Sequence, residues 1–282
     1  MSTAIQRIEV FQDTMNWIKT DKELSDSIVK AKENTTIFWE NDYPAFDQKA
    51  TCDTVITVSK DRSYEAAMRL DKSMPGSKIA VMNFANAFHA GGGVTKGSSA
   101  QEECLCRIST LYKCISASEI TEAFHKKHRY ALKTGEMDFL YNDDCIQTCD
   151  VTIFKSDSKN PVLLPEKEWF DVNVISCAAP NLRCMSQHNK HWKKNVTDQE
   201  LLDIYKKRIN RVLDIASCAK SDVIILGAFG CGAFANPPEL VAKAMHVAID
   251  EHKYDFATIE LAIYCSPRDT LNYEVFAREF AV

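Results

Sequence analysis

An α/β fold with a mostly parallel sheet covered on both faces is what the 282-residue sequence predicts, and three observations predict it. Short apolar, β-branched runs alternate with longer stretches of helical periodicity along most of the chain. Seven of the nine glycines sit in two loops, four between Gly91 and Gly97 and three between Gly227 and Gly232, each loop lying between a strand-like run and a helix start. The chain is 45% hydrophobic, enough to bury a substantial core in one large domain, or in one domain with an accessory segment.

Residues 3–33 read as one or two helices. Ile5, Ile8, Phe11, Met15 and Ile18 step by three and four, and Asp21 offers a restart. This is an accessory helical layer, which places the domain boundary between 1–34 and 35–282. Residues 54–58 form a β-branched run suited to a buried strand, with a short helix over 64–70 behind it. Residues 78–84 are a second strand, feeding the first glycine loop. Ala100 to about Ser116 reads as helical, with Leu105, Ile108, Leu111 and Tyr112 on one face. Residues 119–132 are helical, and 151–154 are a short strand before a polar loop. A longer strand over 169–177 is stopped by Ala179-Pro180-Asn181. A polar loop over 183–198, a long helix to about Ala219 and a strand over 222–226 lead into the second glycine loop. Pro237 opens a helix that runs to His252, where its missing N–H costs nothing in the first turn. A last strand over 258–264 and a closing helix over 270–280 complete the chain. There is no internal repeat and no low-complexity segment.

Charge and cysteine usage narrow the function classes. With 34 basic against 39 acidic residues the net charge is −5, so nucleic acid is not a bulk partner and any bound anion must be held locally. No apolar run is long enough to span a bilayer, and the amino terminus lacks the apolar core of a signal peptide. The expected location is intracellular, cytoplasmic or nuclear. Eleven cysteines are dispersed with no Cys-x-x-Cys pair, as reduced core residues would be. The sequons at Asn34 and Asn195 are accordingly poor glycosylation candidates.

The glycine loops fit none of the commonest nucleotide motifs. After Gly92-x-x-x-x-Gly97 comes Ser98 rather than lysine, which excludes a P-loop, and the late loop is G-x-x-G-x-G rather than G-x-G-x-x-G. What the first loop does carry is a carboxylate pair. With Ser99 as N-cap, Glu102 falls at the third helical position and completes a capping box, whereas Glu103 has no structural duty and projects toward the glycines. Asn86, at a strand end, suits sugar hydroxyls or else caps its loop. Phe234, among glycines and prolines, reads as a ring or sugar contact, and Phe229 either joins it or points inward. The pair His125 and His128, and the spacing Cys184-x-x-x-His188-x-x-His191, lack a second cysteine pair and are not read as zinc sites. Cys104 and Cys231 have no neighbouring base and read as packing residues, and the basic residues around Lys193, Lys194 and Lys206–Arg211 as solvated faces.

Taken together, Asn83-Phe-Ala-Asn-Ala, Gly91-Gly-Gly, Gln101-Glu-Glu103 and the later Gly227-Ala-Phe-Gly-Cys-Gly-Ala-Phe-Ala-Asn-Pro-Pro238 resemble the microbial-type poly(ADP-ribose) glycohydrolases of the macrodomain superfamily. Weaker similarity runs from about Thr35 to Tyr264, including Cys149–Phe154 and Ser176–Asn181. The resemblance implies a three-layer α/β/α macrodomain with a mixed, mostly parallel central sheet, binding ADP-ribose at the carboxyl ends of its strands. It implies that Gly91, Gly92 and Gly93 embrace the diphosphate together with the late loop, Ala228, Phe229, Gly230, Cys231, Gly232, Ala233 and Phe234. It further implies that Glu103 is the general acid with Glu102 and Gln101 in support, that Phe234 orders the distal ribose and that Asn86 lies near it. Ala90 stands where the family usually has proline. The expected reaction is hydrolysis of ribose–ribose bonds of poly(ADP-ribose) to ADP-ribose. Removal of single units from an ADP-ribosylated macromolecule, or binding without catalysis, are the alternatives. Neither metal nor cofactor is expected, nor a membrane, and the expected state is a monomer.

Overall fold

The computed structural model describes residues 2–42, 53–187, 196–252, 254–266 and 269–281. His188, His191, Lys193, Lys194 and Asn195 lie outside the described residues.

Two helices open the chain, α1 (Ala4–Thr20) and α2 (Lys22–Glu33). Thr3 and Gln6 form a reciprocal capping box at the first, and the Asp21 carboxylate accepts from Leu24 N to start the second, which is the predicted restart. Then follow β1 (Thr35–Phe38), β2 (Val55–Ser59), α3 (Ser63–Ser73), β3 (Ile79–Phe84), α4 (Gln101–Ile108) and α5 (Leu111–Ile115). A continuous helical segment comprises α6 (Ser118–Ile120), a π-helical Thr121–Lys126 and α7 (Lys127–Thr134). The chain continues through β4 (Cys145–Ile153), β5 (Phe170–Cys177), α8 (Leu182–Gln187), α9 (Asp198–Cys218), β6 (Val223–Leu226), α10 (Pro238–His252), β7 (Thr258–Ala262) and α11 (Leu271–Glu279).

Among the described residues seven strands form one sheet in the order β1-β4-β5-β3-β6-β7-β2. Pairing is parallel from β5 through β2 and antiparallel at β1–β4 and β4–β5, the mixed, mostly parallel sheet that was expected. Side chains alternate between its two faces. Along β6, Ile224 and Leu226 join a core with Tyr205, Val212 and Met245 of α9 and α10, while Val223 and Ile225 join a second core with Tyr64, Leu105 and Phe11. Helices therefore cover both faces, and the accessory segment shares a core with the sheet: Phe11 of α1 is buried edge-on against Tyr112, with centroids 5.0 Å apart.

The structure differs from the sequence reading in four places. The helix over 100–116 is two helices, because Ser109 turns extended (φ −145°, ψ 177°) and Thr110 pairs with Thr152, N to O at 3.0 Å and back through its hydroxyl at 3.0 Å. β1, too short to give a periodic signal, was not anticipated. β4 is longer than 151–154, its earlier half disguised by Gln147, Thr148 and an irregularity between Thr148 and Val151. The polar stretch 183–198 begins as α8 rather than as loop.

Candidate active site

A cleft of about 340 Å³ opens at the carboxyl ends of β3, β6 and β7, where an α/β sheet presents its ligands. Its floor is the first turn of α4. Gln101 anchors that turn: its Oε1 accepts from Phe84 N (2.9 Å) and its Nε2 donates to Met82 O (2.8 Å) and Ser63 Oγ (3.0 Å). Every strong polar direction of this amide is thereby used on the scaffold.

Glu102 and Glu103 follow, both buried. The helix begins one residue later than expected, with Ala100 as N-cap and no side-chain cap, so the capping box through Ser99 is not formed. The Glu102 carboxylate turns to the loop instead, Oε2 accepting from Asn86 N at 2.8 Å. Burial pushes its carboxyl up to about 8, with the charge of Glu103 adding to this, against the amide donations of Asn86 and Gly91. Glu103 Oε1 accepts from Gly93 N at 2.9 Å, whereas its Oε2 is buried with no hydrogen-bond partner among the described residues.

The triple-glycine loop packs directly on this pair. Gly92 has φ +55°, and a Cβ there would sit 2.6 Å from Glu103 Oε1 and 3.1 Å from Glu102 Oε2, so only glycine lets the backbone approach. The amides of the three glycines are engaged within the protein: Gly91 with Glu102, Gly92 with His89 O, and Gly93 with Glu103. The loop thus orients the carboxylates through its own amides. Ala90 packs beside Tyr112 on the core beneath.

The opposite wall is the second glycine loop, of which Ala228, Gly230, Gly232, Ala233 and Phe234 line the cleft. Gly230 has φ +78°, and a Cβ there would press to within 2.7 Å of Ala179, Tyr205 and Asn236. Phe234 is half-buried at the rim. Phe229 does not join it: its ring is fully buried between Phe84 and Tyr205, with centroids 5.5 and 5.8 Å away, because the Tyr205 hydroxyl draws the Phe229 carbonyl inward at 3.0 Å. Cys231 lies off the cleft lining, and burial pushes its thiol up to about 12. Cys104 does line the cleft, but burial raises its thiol as well, despite the Arg107 guanidinium 3.2 Å away, so neither cysteine is primed as a nucleophile.

Asn86 lines the cleft and also caps its loop, Oδ1 accepting from Phe88 N (2.9 Å) and His89 N (3.0 Å). His125 and His128 both reach Ala87 O at 3.3 Å; burial pushes His125 down to about 4, and it serves packing rather than metal. Among the described residues no group of three or more His, Cys, Asp or Glu is placed to hold a metal ion, and no helix is long and apolar enough to cross a membrane.

Sequence reasoning missed the far end of the cleft, where Arg62, Ile263 and Tyr264 gather. The Arg62 guanidinium stacks 3.8 Å from the Tyr264 ring centroid. The signal was available, since Ile263 and Tyr264 directly follow the last parallel strand, where strand-end ligand contacts fall.

The family model described as the microbial-type PARG catalytic domain matches residues 6–156. The chain is similar to the solved poly(ADP-ribose) glycohydrolase from Thermomonospora curvata bound to the inhibitor ADP-HPD, at 25% identity and a TM-score of 0.78, over 97% of this chain and 99% of that one. It is also similar to the poly(ADP-ribose) glycohydrolase from Deinococcus radiodurans in complex with ADP-ribose, at 27% identity and a TM-score of 0.73, over 90% and 97% of the two chains. No curated protein matches it.

Proposed function

The chain belongs to the microbial-type PARG catalytic-domain family, and on that premise we propose that it hydrolyses the ribose–ribose O-glycosidic bonds of poly(ADP-ribose), releasing ADP-ribose, with Glu103 as general acid. The observation that carries this reading is the Glu103 carboxylate: one oxygen is fixed by the Gly93 amide and the other is buried and unpartnered at the cleft floor. A polar atom desolvated without a partner costs free energy that a substrate hydrogen bond recovers.

In this reading the distal ribose lies under Phe234 with Asn86 beside it, and the diphosphate lies along the second glycine loop. The adenosine takes the end formed by Arg62, Ile263 and Tyr264. Glu103 Oε2 donates its proton to the oxygen leaving the anomeric carbon as the C–O bond breaks. The oxocarbenium-like ribose is stabilised by the neighbouring phosphate charge. Water then adds to that carbon and returns its proton to Glu103, so the cycle balances with one protein carboxylate rather than the usual catalytic pair. Glu102, its carboxyl pushed up to about 8 by burial, is the support: it holds the Asn86 and Gly91 amides.

The test is Glu103→Gln. It is expected to lower ADP-ribose release by roughly 100-fold or more, the range of general acid catalysis, with ADP-ribose affinity by calorimetry unchanged. Undiminished release would overturn the assignment. Turnover of singly modified protein in preference to polymer would move the reading to the single-unit reaction, and binding without turnover to a reader.

A further inference from the structure

Poly(ADP-ribose) imposes a specific neighbour on the reacting ribose. The oxygen that leaves its anomeric carbon is a hydroxyl oxygen of the next unit's adenosine ribose, so the group just across the scissile bond is a purine nucleoside rather than a phosphate. The wall beyond Phe234 has the chemistry for one. Phe234, Tyr141 and Phe88 stand in a row, with ring centroids 6.3 and 5.3 Å apart, and all three are half-buried. Tyr141 also lines a separate cavity of about 530 Å³, whose lining includes Glu136, Asp138 and Lys127. The two carboxylates are acceptors for an exocyclic amine such as a purine carries.

The backbone at Tyr141 supports the same assignment. Its φ is +58°, a left-handed conformation that a bulky aromatic rarely adopts, and such strain persists only where the surroundings enforce it, often at ligand sites. Here the surroundings do. The buried Arg208 guanidinium donates to Leu140 O (3.1 Å) and Asp143 Oδ1 (3.0 Å) on either side, and Asn181 Nδ2 donates to the Tyr141 hydroxyl at 3.4 Å. The ring is held facing Phe234 and the cavity at once.

We propose that Tyr141, flanked by Phe88 and the Glu136–Asp138 edge, forms a subsite for the adenosine of the leaving unit, so that the protein grips both sides of the bond it cuts. This rests on the glycohydrolase reading above and adds specificity for polymer over single units.

The test is Tyr141→Asn, since asparagine tolerates left-handed φ and removes the ring, with Tyr141→Phe as the conservative variant. Two measurements are made on each: kcat/KM on a ribose–ribose-linked ADP-ribose dimer, and Kd for ADP-ribose. The subsite predicts that Tyr141→Asn loses about tenfold in kcat/KM, the worth of one base–aromatic stack, with ADP-ribose affinity unchanged and Tyr141→Phe close to wild type. Unchanged kcat/KM overturns the proposal. A parallel loss of ADP-ribose affinity also overturns it, because Tyr141 would then only prop Phe234. Should Tyr141→Asn fail to fold, Phe88→Leu is read by the same criteria. A wild-type protein that leaves the dimer intact while releasing ADP-ribose from singly modified protein sinks the glycohydrolase reading itself, and the subsite with it.

Discussion

Glu102 and Glu103 are neighbours in sequence with opposite environments. Glu103 keeps one oxygen unpartnered at the cleft floor, while Glu102 is turned into the loop and carries a carboxyl pushed from the ordinary 4.5 up to about 8, chiefly by burial. A carboxyl whose folded value is raised holds its proton in the native state after the unfolded chain has lost it. Its contribution to stability is therefore intact below pH 4.5 and declines as pH rises toward about 8. Glu102→Gln, which cannot ionise yet still accepts from the Asn86 amide, is expected to flatten that decline and to be more stable than wild type at pH 9. Urea denaturation at pH 5, 7 and 9 checks it, and a Glu102→Gln variant whose stability falls with pH as steeply as wild type would refute the buried-acid account. The placement of the two carboxylates was half legible in the sequence. Adjacency and the following helix marked them as a pair, because helix-start signals are local. The capping box was not the correct geometry, because the competing donor, the Asn86 amide, comes from another element.

At the scale of elements, the predicted accessory layer has a direct hold on the loop that bears the site. Arg7, on the first turns of α1, donates from Nε to Gly97 O at 2.6 Å and from Nη1 to Ser2 O, and Arg107 of α4 donates to the adjacent Ser98 O at 2.6 Å. Two guanidiniums thus hold consecutive carbonyls of the loop whose Gly93 amide fixes Glu103. Gly97 itself has φ +74°, and its Cα faces the Ala4 carbonyl so closely that no Cβ fits. Loss of a hydrogen bond from a charged donor is worth about 1.5–3 kcal/mol. Arg7→Ala is expected to cost that much in stability and to lower kcat on polymer several-fold, whereas Ile5→Ala on the exposed side of the same helix changes neither. Equal kcat for Arg7→Ala and wild type would show that the loop holds its shape without α1. The glycine pattern of this loop could be read directly, since a left-handed φ is a local demand. The strut could not, because residue 7 and residue 97 carry no shared local signal.

For the molecule as a whole, alternation of strands and helices was sufficient to predict the layers and the mostly parallel sheet, because side-chain period and loop chemistry survive in sequence. The buried polar framework did not survive in that form, and Arg208 shows why. In the sequence it belongs to a run of basic residues that reads as a solvated helix face, yet it is 1% exposed. From α9 its guanidinium reaches Ala178 O at the end of β5 (2.8 Å), Leu140 O, and Asp143 Oδ1. It thereby joins the helical layer, the sheet and the loop that presents Tyr141. Although burial alone would raise the Asp143 carboxyl, Arg208 and Lys207 together hold it below the usual carboxylate range. Replacing Arg208 leaves the buried Asp143 with Lys207 as its remaining cation and orphans two carbonyls, at a cost of about 3–5 kcal/mol. Arg208→Met is expected to lose that much by denaturant titration at neutral pH. Because it releases the acceptors beside Tyr141, it is also expected to weaken turnover of the ADP-ribose dimer beyond any effect on ADP-ribose affinity. The double variant Arg208→Met with Asp143→Asn removes the half-paired charge and is expected to recover part of the stability but not the dimer turnover. Recovery of both would mean that the ion pair only stabilises the fold and that the left-handed turn at Tyr141 holds without it.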